Sequence, residues 1–164
     1  MVNIISIKFH GRAGEGVLTS SYLLAVAAFY DNKYSQSFPM FGAERMGAPI
    51  ECFLRIDNKQ INIRSQIQDP DYVLILDDSL LKAINVKAKK EVYINSAKKY
   101  NLGVKTTGIC CGNEIRYSNV ALISYFARRT KIVSLNSLIR AVKERFIGPD
   151  SEKNVQVVKE FYGK

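Results

Sequence analysis

Apolar residues near the start of the chain follow two rhythms. Ile4, Ile5, Ile7 and Phe9 fill the run from Asn3 to Phe9, which reads as a largely buried strand. A glycine-bearing loop, His10 to Gly16, follows. From Val17 to Tyr30 the pattern changes, with Leu24, Val26, Ala27, Ala28 and Phe29 suiting a buried helix. Strand, glycine loop and helix open a βαβ unit. Lys33 to Phe38 reads as a second strand. Pro39 to Pro49 is punctuated by glycine and proline and reads as irregular. Ile50 to Ile56 and Gln60 to Arg64 flank Asp57-Asn58-Lys59, and the alternation at Ile61 and Ile63 predicts a β-hairpin. The continuous apolar run Tyr72 to Leu76 predicts a central parallel strand, ended by Asp77-Asp78-Ser79, with Ser79 a cap for a short helix over Leu80 to Ile84. Glu91 to Asn95 and Leu102 to Thr106 read as further strands. Helices follow over Val120 to Thr130 and, capped by Ser134, over Leu135 to Phe146. Gly148-Pro149 stops the latter, and a last helix carries Val155, Val158 and Phe161. The sum is a three-layer α/β/α fold with a mixed, mainly parallel sheet that includes a hairpin, in a single domain covering residues 1–164.

Composition narrows the class. At 164 residues, 47% hydrophobic and 24% charged, the chain is long enough for a core of its own. Thr19, Ser20, Ser21 and Tyr22 break the longest apolar stretch, which is too short to span a bilayer. No basic-then-apolar leader is visible, so a cytoplasmic protein is expected. The net charge of +9 raises nucleic acid as a partner. Its carriers are scattered into small groups, such as Lys98-Lys99 and Arg128-Arg129, without aromatic interleaving. Solvated faces, or docking onto acidic sister chains, account for them. Cys52, Cys110 and Cys111 form neither a disulfide framework nor an iron–sulfur set, which takes about four spaced thiolates. They read as small buried apolar residues.

The chemistry-bearing candidates are few. Gly11-Arg12-Ala13-Gly14-Glu15-Gly16 sits where a strand meets a helix N-terminus, a place that favours anions. Its glycine order differs from the dinucleotide fingerprint, no ribose-binding acid follows, and no Lys-Ser/Thr completes a Walker loop. A tight strand-to-helix turn explains the glycines equally simply. Phe38 to Pro49, with Glu44 and Arg45 amid glycines and aromatics, reads as an interface loop. His10 is the sole histidine, which excludes a histidine-rich metal site, and no Ser-His-Asp set is evident around it. Asp77-Asp78 lie at a strand's C-terminal end, where α/β ligands gather, but turn chemistry also explains them. No catalytic or metal-ligating set emerges. The residues describe a module that assists chemistry carried out elsewhere.

Several segments together carry a resemblance. They are the run from Lys8 to Thr19, the run from Tyr34 to Pro49 (with Phe41-Gly42-Ala43-Glu44-Arg45 at its centre), Arg55-Ile56-Asp57, Ile63 to Ile67 and Pro70 to Val73. In order and spacing they resemble the gamma subunits of pyruvate and 2-ketoisovalerate ferredoxin oxidoreductases. The match is dense over residues 4–80 and thins beyond. Ala13 and Glu15 depart from the usual glycine loop, and Met46 stands where arginine is common. The resemblance implies a subunit of an enzyme that oxidatively decarboxylates a 2-oxoacid, pyruvate or a branched-chain one, to acyl-coenzyme A and passes electrons to ferredoxin or flavodoxin. It implies alpha, beta and ferredoxin-like delta partners holding thiamine diphosphate, magnesium and the iron–sulfur clusters, with no cofactor bound by this chain alone and no activity in isolation. It further implies that the chain borders coenzyme A, with Gly11, Arg12, Gly14, Gly16, Thr19, Arg45 and Gly47 as the binding residues. Arg12 and Arg45 suit phosphates by charge and fork geometry, and suit partner carboxylates for the same reason. An orphaned interface often self-associates, so a homodimer of the isolated chain is one open alternative beside a monomer. Two other readings stand beside this one: a stand-alone nucleotide-binding oxidoreductase, and a non-enzymatic basic interaction module.

Overall fold

The computed structural model describes residues 4–40, 49–111 and 115–163, with the side chains of Ile115 and Arg116 left out. Arg45 and Gly47, and most of the expected interface loop, therefore lie outside the described residues. Six strands form one sheet: β1 (Ile5–Arg12), β2 (Tyr34–Met40), β3 (Pro49–Asp57), β4 (Tyr72–Ile75), β5 (Glu91–Asn95) and β6 (Lys105–Ile109). They lie side by side in the order β2-β3-β1-β4-β5-β6. β4, β5 and β6 run parallel to β1, and β3 runs antiparallel to both of its neighbours. The sheet is thus mixed and mainly parallel.

The hairpin exists, but it joins β2 to β3. Gln60 to Arg64 forms no strand. The reason is geometric: β2 and β1 occupy the two edges of β3, so none is left for a following strand. The segment after β3 instead crosses the sheet. The Ser65 carbonyl accepts from the buried Arg55 guanidinium, and Ile67 is buried. β1 also runs past the expected end at Phe9, because Gly11 and Arg12 pair with Ile50 and Pro49 of β3.

Alternation along the strands separates two cores. Ile7 and Phe9, Cys52, Leu54 and Ile56, Leu74, and Tyr93 point to one face. That face packs against α1 (Val17–Tyr30), α2 (Ile115–Thr130), α3 (Leu135–Arg145) and α4 (Pro149–Gly163). Val73, Ile75, Val92 and Ile94 point to the other face. The layer there is thin. A 3-10 turn over Asp78–Lys82 and the coil bearing Ile84, Val86, Tyr100 and Leu102 cover it. Asp77, not Ser79, caps that turn, accepting from the Ser79 amide at 2.9 Å. α2 begins before the expected Val120, and Pro149 is the first residue of α4, where its missing N–H is harmless. Among the described residues no helix is long and apolar enough to cross a membrane.

One carboxylate fastens the first helix to the third. Asp31 ends α1, accepts from the Ser134 amide at 2.6 Å, and accepts from the hydroxyls of Ser134 at 2.7 Å and Ser137 at 2.6 Å. Burial alone would raise its pKa, but these three donors outweigh it and hold the group below the usual range. A depressed carboxylate stabilises the fold above its unfolded pKa of about 3.9, and that contribution is lost as pH falls through the lower folded value. Asp31→Ala is therefore expected to cost about 2 kcal/mol at neutral pH. Chemical denaturation should record that loss, and the variant should lose less further stability than the parent on acidification below about pH 4.

Candidate functional site

The junction of β1 and α1 is built by glycines, each answering a separate constraint. Arg12 to Glu15 form a tight turn closed by the Glu15 amide on the Arg12 carbonyl at 3.1 Å. Gly14 takes its third position with φ +90°, the left-handed geometry a type II turn demands. Gly11 lies beneath, where a Cβ would stand 2.5 Å from Val17 Cγ2. Gly16, at φ 79° and ψ 28°, starts the helix without a side-chain cap. A Cβ there would overlap the Asn119 carboxamide of α2, whose Nδ2 reaches the Gly16 carbonyl at 3.4 Å.

Glu15 folds back over the turn. Its Oε2 accepts the Arg12 amide at 2.6 Å, so the carboxylate is anchored and does not line the cavity beside the loop. That cavity, about 280 Å³, is lined by Arg12, Gly14, Gly16, Thr19, Val17, Leu18 and Ile50. Arg12 also reaches the end of a neighbouring strand. Its Nε donates to Asp77 Oδ2 at 2.8 Å and one terminal nitrogen donates to Ser79 Oγ at 3.0 Å. Burial would raise the Asp77 pKa, but hydrogen bonds from Ser79 and Arg12 prevail and lower it. Arg12 ends β1 and Asp77 follows β4, so the pair bridges the carboxyl ends of two neighbouring parallel strands. The chain leaves β1 toward β2 on one side, while β4, β5 and β6 extend to the other. This is a topological switch point, the crevice where open α/β sheets bind ligands.

Of the residues expected from sequence, the structure gathers Arg12, Gly14, Gly16 and Thr19 around one cavity and places Gly11 beneath them. Ile50 and Asn119 belong to the same locale without any signal in the sequence. Asp77, expected at a ligand-gathering strand end, and Ser79, expected only as a helix cap, are the partners of Arg12. Asn119 lies 103 residues from Gly16 and carries no local hint of the contact.

His10 is 1% exposed on the sheet face opposite α1. Its Nδ1 approaches Glu51 Oε1 at 3.4 Å, but Glu51 is held by Lys8 at 2.9 Å, and Nδ1 has no hydrogen-bond partner among the described residues. Burial first, then the Lys8 charge, lowers the imidazole pKa to about 4 against the opposing pull of Glu51. The ring is therefore neutral at pH 7 and the contact with Glu51 is no ion pair. Cys52 and Cys111 are buried as expected, whereas Cys110 is exposed. Among the described residues no group of three or more His, Cys, Asp or Glu could hold a metal ion.

Two measurements test this geometry. Gly16→Ala should lose about 1–3 kcal/mol, because positive φ penalises any Cβ. Adding Asn119→Ala should restore only the part due to overlap, leaving a positive coupling in a double-mutant cycle. For His10, the imidazole proton shift followed by NMR should titrate near pH 4, and a midpoint at the ordinary value of about 6.5 would contradict the burial argument.

Comparison with known proteins places these features in context. The family model for pyruvate ferredoxin/flavodoxin oxidoreductase matches residues 6–163. A pyruvate synthase subunit PorC from Methanocaldococcus jannaschii is 42% identical over 172 residues, covering 98% of this chain and 97% of the relative. The pyruvate/ketoisovalerate oxidoreductases common subunit gamma of Pyrococcus furiosus is 38% identical over 179 residues, with coverage of 98% and 97%. Among solved structures, the pyruvate oxidoreductase subunit PORC of Thermotoga maritima superposes with a TM-score of 0.83 at 26% identity, covering 98% of this chain and 96% of that one.

Proposed function

The chain belongs to the pyruvate ferredoxin/flavodoxin oxidoreductase family, and from that premise we propose that it is the gamma subunit of a cytoplasmic, multi-subunit 2-oxoacid:ferredoxin oxidoreductase. The observation that carries this reading is similarity along nearly the whole chain to proteins named as subunits of pyruvate and ketoisovalerate oxidoreductases. The complex would convert pyruvate or a branched-chain 2-oxoacid, with coenzyme A, to acyl-coenzyme A and carbon dioxide, and deliver the two electrons to ferredoxin or flavodoxin. Thiamine diphosphate, magnesium and the iron–sulfur clusters are assigned to alpha, beta and delta partners. Three cysteines, two of them buried, do not fit a cluster that takes about four thiolates. In this division of labour the chain, as one gamma-type domain over residues 1–164, completes the assembly and is inactive by itself.

Within that role we assign Gly11, Arg12, Gly14, Gly16 and Thr19 to the border of the coenzyme A site, joined by Arg45 and Gly47. Three features support the assignment. The cavity lies at the carboxyl-end crevice of the sheet. The first turn of α1 lines it, and Gly16 supplies no capping side chain, so backbone amides and the helix dipole are left for an external anion. Arg12, one of the lining residues, carries a guanidinium positioned by Asp77 and Ser79. What these residues do is hold and orient an anionic group, and no bond-making step is assigned to them.

The test begins with anaerobic affinity purification of the tagged chain from its native cells, followed by mass spectrometry and pyruvate-dependent dye reduction. Recovery of thiamine-binding and ferredoxin-like subunits with coenzyme A-dependent activity is expected, and recovery of the chain alone would refute the subunit reading. In the assembled enzyme, Arg12→Ala should raise the KM for coenzyme A about tenfold with assembly intact. A variant that instead fails to assemble would make Arg12 an interface clamp.

A further inference from the structure

Helix α1 is apolar on more sides than the core can use. Its inner face buries Val17, Leu23, Leu24, Ala27 and Ala28. Its outer side still carries Leu18 (44% exposed), Tyr22 (41%) and Phe29 (69%). The sheet and α3 together cover the inner part of α1, and no described residue covers its apolar outer side. The strand beside it, β2, is an edge of the sheet. Its sequence, Tyr34 to Met40, contains no charged residue, whereas the opposite edge, β6, carries Lys105. Long uncharged edges next to exposed apolar side chains are normally covered by another chain.

The groove between these elements has a definite electrostatic character. A cavity of about 680 Å³, bordered by Phe29, Tyr30, Tyr34 and Ser35, has Lys33 and Arg140 in its wall. A second, of about 260 Å³, continues it along α1 past Tyr22 and Val26 to Glu144. The Glu144 carboxylate is engaged by the Tyr30 hydroxyl. Arg140 stacks 3.8 Å from the centroid of the Tyr30 ring and, among the described residues, makes no ion pair. The lining is mainly apolar and aromatic, and Lys33 and Arg140 against the single Glu144 leave it net positive, as is the whole chain at +9.

We propose that the groove between α1, the β2 edge and α3 receives an apolar segment flanked by carboxylates from a neighbouring subunit of the oxidoreductase, with Phe29 as its hydrophobic anchor and Arg140 as its acid-binding residue. The proposal rests on the subunit reading above. It concerns a surface separate from the Arg12 crevice, since the two cavities along α1 and the one at its N-terminus share no lining residue. Aromatic and arginine anchors in a desolvated groove are the usual centres of interface energy.

The complex is purified anaerobically from native cells carrying the tagged chain as wild type, Phe29→Glu, Arg140→Glu or, as an off-groove control, Ile147→Glu at an 89% exposed position. Partner-subunit recovery is quantified, and each isolated chain is examined by light scattering and thermal melting. Phe29→Glu and Arg140→Glu should each reduce recovery of the other oxidoreductase subunits about tenfold or more. The control should assemble fully, and all isolated chains should melt near the wild-type temperature. Wild-type recovery with both groove variants would overturn the surface while leaving the subunit reading in place. Loss with Phe29→Glu but not Arg140→Glu would overturn the acidic flank. Loss of self-association in the isolated chain, with the complex unaffected, would give the groove to a second copy. A wild-type chain that brings down no other subunit would remove the premise itself.

Discussion

Strand β1 is the constraint from which the other elements take their places. Among the described strands it alone has neighbours running in opposite senses, with antiparallel β3 on one edge and parallel β4 on the other. Ile7 and Phe9 set the helix-covered face of the sheet, and the alternate residues Lys8 and His10 turn to the thinner side. Because β3 must reverse against β1 and still accept β2, the chain cannot continue as a simple run of parallel crossovers. That reversal leaves the crevice between β1 and β4 at the carboxyl edge, and it puts Arg12 and Asp77 within reach of each other.

Much of this was readable along the chain, and the exceptions have physical causes. The limits of α1 and β5 followed from period and punctuation alone. The Ser134 cap did too, because its hydroxyl takes the Ser137 amide three residues on. The hairpin was misplaced because alternation at Ile61 and Ile63 is a property of the segment, whereas pairing depends on which edges remain open. Ile63 is in fact 42% exposed. The reach of β1 to Arg12 was hidden for the same reason, since Gly11 has no strand propensity of its own and is held there by Ile50. At the candidate site the glycines were legible, as each answers a local geometric demand. Asn119, which limits the space at Gly16, was not, because that contact exists only after α2 has docked.

The Arg12 crevice and the α1 groove illustrate two ways in which an ion is held. At the crevice, Arg12 is already matched within its own chain by Asp77 and Ser79, so an arriving anion finds an oriented guanidinium whose present partners must share it. In the groove, Arg140 rests on an aromatic face, where its charge is only partly compensated and a carboxylate from outside adds a new bond. The first arrangement favours exchange, the second persistent attachment. That contrast suits a subunit that must meet a turning-over cosubstrate at one place and remain fixed to its neighbours at another.

The Asp31 clasp bears on how the molecule is made. Its donors on Ser134 and Ser137 lie more than a hundred residues downstream, in the last third of the chain. During synthesis α1 therefore emerges long before the segment that closes over its C-terminal end. Such a wide separation in sequence delays the loop closure that completes the helical layer. Until then the side of α1 that α3 will cover lacks its partner in the nascent chain, even where β1, β2 and β3 already back the helix. The interval on the ribosome is when this protein is most exposed to aggregation, and when early capture of its outer helix face by a sister chain would bring the greatest protection.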